Sequence, residues 1–221
     1  TQKGDIHTES RAAVAGGVTS YMDMPNVNPQ TVTNALLEQK AEIAAQHSLA
    51  NYSFYLGATN DNTDELLKAD PSRVCGVKLF MGSSTGNMLV NDRNILERIF
   101  SEVPLLIATH NEDEAIIRAN TERYKGLLGN DIPVKYHPLI RTAEACFEST
   151  SFAVGLAHKY NTRLHVLHLT TARELDLFDN TLPLSDKYIT SETGVHYLWF
   201  DDRDYDRLGG LLKCNPAVKS M

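Results

Sequence analysis

An α/β fold with a parallel sheet, laid out as an incomplete (β/α)8 barrel of about six βα units, is what this sequence predicts. Three observations carry that reading. Strand-like and helix-like segments alternate along the chain, with no internal repeat, low-complexity tract or long linker. One strand-like run, Val74 to Met81, is apolar almost throughout, as suits a strand covered on both faces of a parallel sheet. Polar residues that are costly to bury fall inside or just past several of the strands.

The elements follow in order. Thr8 to Ala15 has a helical pattern that stops at Gly16-Gly17. Val18 to Met24 reads as a strand ended by Pro25, and Asn34 to Gln46 as an Ala/Leu/Glu-rich helix. Tyr52 to Leu56 is a strand, and Thr63 to Lys68 a short helix capped by Asn62 or Thr63. After Val74 to Met81 come a helix at Asn94 to Ser101, a strand at Leu105 to Thr109 and a helix at Glu112 to Tyr124. Ala143 to Tyr160 is a long amphipathic helix. Arg163 to Leu169 is a strand, Ala172 to Phe178 a helix and Tyr188 to Ser191 a strand. A closed barrel needs eight strands, and an open doubly wound sheet is the rival architecture. No Gly-x-Gly-x-x-Gly follows the first strand, which disfavours a dinucleotide-binding version.

At 221 residues the chain is long enough for a single large domain. Its net charge of -7 argues against nonspecific nucleic-acid binding, yet a small anionic substrate stays open because a local site can be positive. No apolar run approaches the roughly 20 residues of a membrane helix, and no signal-like segment stands at the start. Cys75, Cys146 and Cys214 are far apart and in no metal-ligand spacing, so they read as reduced, mostly buried thiols of a cytoplasmic protein. Thr1 in place of Met suggests that something precedes it.

The carboxyl ends of barrel strands face the active-site mouth, so residues there carry the functional reading. Lys78 interrupts an apolar strand. Burial disfavours a charged ammonium, and a neutral amine can react with carbon dioxide to give a carbamate that bridges two metal ions. The plainer alternative is a lysine that reaches the surface or pairs with a carboxylate. His110 and His168 follow or end apolar strands and suit zinc, although a single strand histidine is more often a core residue. His165 lies three positions before His168; alternation puts the two on opposite faces, and His165 is read as structural. Asp23, inside a strand, is read as a structural hydrogen-bonding residue. Asn26, just past a strand, is either a turn residue or a group that orients a polar substrate. Gly82 to Asn87 lacks the Gly-Lys-Ser/Thr ending of a phosphate loop and reads as a flexible active-site loop.

Six blocks of the sequence resemble bacterial dihydroorotases. Gly4-Asp5-Ile6-His7-Thr8-Glu9-Ser10, continuing through Met24-Pro25-Asn26, is similar to the segment after that family's first barrel strand, with its Met-Pro-Asn signature. Gly76-Val77-Lys78-Leu79-Phe80-Met81-Gly82 resembles the carboxylated-lysine strand. Thr109-His110-Asn111-Glu112-Asp113 resembles Ala-His-x-Glu-Asp, and the second histidine of Leu164-His165-Val166-Leu167-His168-Leu169-Thr170-Thr171 falls on a metal ligand. Glu192-Thr193-Gly194-Val195-His196-Tyr197-Leu198 is close to Glu-x-x-Pro-His-His-Leu, departing at Val195 and Tyr197. Lys213-Cys214-Asn215-Pro216-Ala217-Val218-Lys219-Ser220 resembles Lys-x-Asn-Pro-Pro-Leu-Arg-Ser, whose Asn contacts substrate.

The resemblance implies a TIM-barrel-like amidohydrolase that interconverts N-carbamoyl-L-aspartate and dihydroorotate in pyrimidine synthesis, with two zinc ions per site. It implies Lys78, His110 and His168 as metal ligands and Asn26 and Asn215 as substrate-binding residues. The family's His-x-His pair, substrate arginine and general-base Asp would fall outside Thr1 to Met221, as would the first and last strands and the β-sandwich. No catalytic base is therefore assigned in this chain, which is expected to be a single barrel domain, inactive alone, with at most partial metal occupancy. Exposed sheet edges predict a homo-oligomer or a covering segment. Hydantoinases, dihydropyrimidinases and allantoinases share a similar metal pattern and are the alternative, as is a non-catalytic partner subunit.

Overall fold

A computed structural model describes residues 4–82 and 87–220. The strands follow one another in the sheet in chain order, the arrangement that repeated βα crossovers produce, and the fold is α/β of incomplete TIM-barrel type. Two compact units are present, one holding the chain through Leu79 and the stretch ending at Ile107, the other Phe80 and the chain from Ala108 onward.

In the first unit, α1 (Ile6–Ala15) leads to β1 (Ser20–Asp23), α2 (Asn34–His47), β2 (Asn51–Gly57), α3 (Thr63–Leu67), β3 (Gly76–Phe80) and α4 (Arg93–Glu102). The strands β1, β2 and β3 pair in parallel, Tyr21 opposite Tyr52 and Leu56 opposite Val77. Helix starts are fixed by short polar side chains that take up amide groups left over in the first turn. Asp5 accepts from the Thr8 amide at 2.8 Å, Thr33 from Leu36 at 3.2 Å and Asp92 from Asn94 at 2.8 Å. Asn62 stands before α3 without capping it; its side chain instead donates to the Val32 and Gly57 carbonyls. Phe54, Leu56, Leu66, Val77, Leu79, Ile99 and Phe100 form the buried interior. Every residue of β3 is buried, Lys78 among them. Asp23 pairs with Lys40 at 2.7 Å, and Lys40 also donates to the Met24 carbonyl, so this carboxylate is committed to the end of its own strand.

The second unit contains β4 (Ile107–His110), α5 (Glu114–Leu128), α6 (His137–Ile140), α7 (Ala143–Tyr160), β5 (Leu164–Val166), β6 (Ile189–Ser191), α8 (Val195–Trp199) and α9 (Tyr205–Leu208). Strands β5 and β6 are parallel, with His165 opposite Thr190. Asp113 caps α5 through the Ile116 amide at 2.9 Å, and Thr142 caps α7 through Ala145 at 3.2 Å. Asn161, in the left-handed conformation, closes α7. Ala145, Ala153, Ala157, Leu164 and Val166 are buried, and Tyr205, Leu212 and Val218 form a smaller cluster with Val134, Tyr197 and Phe200 against it.

The differences from the sequence reading are local. The helix expected from Glu112 begins at Glu114, because Asp113 takes the cap and leaves Glu112 buried in the connection. Ala172–Leu177 is a 3-10 helix and not an α-helix. Strand β5 stops at Val166, short of His168. The three cysteines are unpaired, but only Cys146 is buried; Cys75 and Cys214 are half-buried. Residues 83–86 of the Gly82 to Asn87 loop lie outside the described residues. No described helix is long and apolar enough to cross a membrane.

Candidate metal centre

The tip of β4 concentrates buried polarity. Thr109, His110, Asn111 and Glu112 run consecutively, and all four are buried. The backbone here is held from several sides. The Met81 amide donates to the His110 carbonyl at 3.0 Å, and the Leu167 amide to the Thr109 carbonyl at 3.1 Å. The Asp113 amide donates to the Ala145 carbonyl at 2.8 Å. Gly82 passes so close that a Cβ there would sit 1.8 Å from the Glu112 carbonyl oxygen, so only glycine permits this approach.

His168 arrives by a different route. Its φ of 43° is left-handed, a region non-glycine residues rarely occupy. The flanking amides explain how it is kept there: Leu167 donates to Thr109 and Leu169 to the Glu192 carbonyl, at 2.7 Å. A backbone anchored on both sides of a strained residue is the pattern expected where a side chain must be aimed. That aim brings His168 Nε2 to 3.1 Å from His110 Nδ1, the rings meeting edge to face.

His110 Nε2 lies 2.9 Å from Glu112 Oε2, and the Arg141 guanidinium donates to the same carboxylate oxygen. Glu112 is wholly buried. Burial alone would push its carboxyl up, but the His110 hydrogen bond and the charge of Arg141 outweigh it and leave it below the ordinary range. Removing one partner of a buried charge pair costs roughly 3–5 kcal/mol, so Glu112 and Arg141 depend on each other. The other Glu112 oxygen and both polar atoms of the Asn111 amide are buried with no hydrogen-bonding partner among the described residues. A second line of contacts leads outward: Arg141 closes α6, whose His137 donates through Nε2 to the Cys214 carbonyl at 2.9 Å and the Asn215 side-chain oxygen at 3.1 Å. Burial depresses His137 below the usual imidazole range.

Of the residues singled out in the sequence, His110 and His168 are brought together. Lys78 is buried in the first unit, where its side-chain nitrogen donates to the Leu79 carbonyl at 3.2 Å. Asn26 is exposed in the turn after β1, and Asn215 is exposed but tied to His137. His165 belongs to another pairing, with Thr190 at 2.8 Å and Glu192 at 3.4 Å. Sequence reasoning missed Glu112 and Arg141. The available signal was two consecutive acids before a helix that needs only one cap.

Zinc is the cation the sequence resemblance implies. Two nitrogens held by one tetrahedral zinc at about 2.0–2.1 Å each stand about 3.3 Å apart, close to the His110–His168 spacing. A ligating imidazole usually gives its second N–H to a carboxylate, and Glu112 stands 2.9 Å from the other ring nitrogen of His110. The pair therefore fits as part of a ligand set. Among the described residues, no group of three or more His, Cys, Asp or Glu side chains is arranged to hold a metal ion.

No family model matches the chain. It is 28% identical over 99% of its length to a dihydroorotase of Methanosarcina mazei, covering 49% of that protein. It is 31% identical over 97% of its length to an allantoinase of Bacillus velezensis, covering 48%. An L-hydantoinase (dihydropyrimidinase) structure from Arthrobacter aurescens superposes with a TM-score of 0.89 at 26% identity, over 98% of this chain and 48% of that one. The chain thus spans about half the length of the curated relatives it matches. Relatives of both names thus match nearly the whole of this sequence at 28–31% identity.

Proposed function

We propose that this chain supplies the central part of a metal-dependent cyclic amidohydrolase of the dihydroorotase type, acting in the cytoplasm on N-carbamoyl-L-aspartate and dihydroorotate. The observation that carries this reading is the His110–His168 nitrogen pair, 3.1 Å apart, with a buried carboxylate behind His110. A divalent cation, zinc by this reading, supplies Lewis acidity toward an amide carbonyl and makes water a stronger nucleophile. His110 and His168 would hold it. Lys78 would add a carbamate, its amine nitrogen bonding the carbon of carbon dioxide as a proton leaves. Asn26 and Asn215 would orient the polar substrate through amides that both donate and accept. The Met-Pro-Asn and Asn-Pro blocks favour dihydroorotate as the ring.

A second reading, an allantoinase or hydantoinase, is favoured by the relatives of those names at similar or higher identity. One assay separates the two. The zinc-loaded full-length product of the encoding gene is presented with dihydroorotate, allantoin and hydantoin in turn. Dihydroorotate is expected to turn over at least tenfold faster than the others, and the 221-residue chain alone to show no useful activity. Preference for allantoin or hydantoin would replace the first reading with the second. No turnover of any of the three would favour a non-catalytic partner subunit.

A further inference from the structure

We propose that Glu112 is a positioning residue that fixes the tautomer of His110, keeping the ring proton on Nε2 and leaving the Nδ1 lone pair turned toward His168. As a device for presenting a cation ligand it rests on the metal-centre reading above; as a statement about the ring it does not.

The argument is geometric. An ionised carboxylate only accepts hydrogen bonds, so the ring nitrogen 2.9 Å from Glu112 Oε2 must carry the hydrogen. A neutral imidazole has one N–H, and placing it on Nε2 leaves Nδ1 bare. Glu112 has little freedom to turn away. Its carboxylate is held by the Arg141 guanidinium, its carbonyl lies against Gly82, and the next residue is anchored to Ala145 and caps α5. A guanidinium can only donate, so the Glu112 oxygen that Arg141 shares with His110 is an acceptor. The bare Nδ1 faces His168 Nε2 across 3.1 Å, and with the proton of His110 on Nε2 it is the acceptor of that contact. A structural ion pair between Glu112 and Arg141 would stabilise the fold equally well, but it would have no reason to include one particular ring nitrogen of His110.

The test reads the ring directly. The chain labelled with nitrogen-15 in histidine is examined by long-range proton–nitrogen NMR at pH 8 without metal, with His110→Asn used to assign the His110 signals. The wild type is expected to show one neutral tautomer protonated at Nε2. In Glu112→Gln the amide can donate as well as accept, so the ring is expected to populate both tautomers, and zinc affinity to fall ten- to hundredfold. A wild-type ring protonated at Nδ1 overturns the proposal, and this arm stands even if Glu112→Gln fails to fold. A folded Glu112→Gln variant whose tautomer and zinc affinity both match the wild type also overturns it. A pinned tautomer in a wild type that binds no zinc supports the pinning by Glu112 and rejects the metal reading instead.

Discussion

Glu112 shows how a single residue can escape a reading of the sequence and still organise its surroundings. Followed by Asp113 and an apolar-periodic stretch, it looks like the first turn of a helix, where acids are favoured. Asp113 already satisfies the cap, and Glu112 is drawn inward by Arg141, a residue 29 positions away that no local pattern connects to it. His110 and His168 were legible because an imidazole beside an apolar strand needs a partner. The reason given for choosing His168 over His165, strand alternation, does not apply at His168. Alternation ends with β5 at Val166, and a left-handed φ, not strand pleating, directs His168. Cys146 offers a plain test of the packing around this region. Burial pushes its thiol up to about 11, so at pH 8 only about one thousandth of it is thiolate. Native protein treated with iodoacetamide at pH 8 is expected to leave Cys146 unmodified by mass spectrometry, and urea to expose it; equal labelling in both conditions would contradict the buried placement.

At the level of elements, the longer helices could be read in advance, and their starts carry their own chemistry. Asp5, Thr33, Asp92, Asp113 and Thr142 accept from the first turns of the helices they precede. The apolar character of β3, broken only by Lys78, suits burial on both faces. What could not be read were pieces too short to show a period. Val134–Ile140, which carries His137 toward Asn215, is a 3-10 turn running into one turn of helix, and 3-10 segments also stand at Asp202–Asp204 and Gly209–Leu212. Three or four residues cannot display a face, and tertiary packing around Tyr205 and Leu212 decides their form. The connection after β3 depends instead on a missing side chain. Gly82→Ala would drive a methyl group into the Glu112 carbonyl, so the turn must open. The expected loss is on the order of 1–3 kcal/mol, as for other overpacked sites, measured by urea denaturation. An unchanged midpoint would mean that the approach of Gly82 to Glu112 is looser than described.

For the whole molecule, the α/β class was accessible from alternation alone, whereas the sequential strand order and the pairing of His110 with His168 needed coordinates. The reason is separation. The two rings are 58 residues apart, and no local rule specifies that a strained residue past β5 should turn its ring onto the tip of β4. The net charge of -7 fits a cation-binding protein as readily as one that binds none, so charge leaves the question to the site. The decisive measurement is zinc binding by the 221-residue chain, by competition with a chromogenic chelator, in the wild type and in His110→Asn and His168→Asn. Zinc bound by the wild type, and at least tenfold more weakly by each variant, is the predicted result. Zinc held equally well by both variants, or not held by the wild type, would contradict the assignment of these two histidines as a ligand pair.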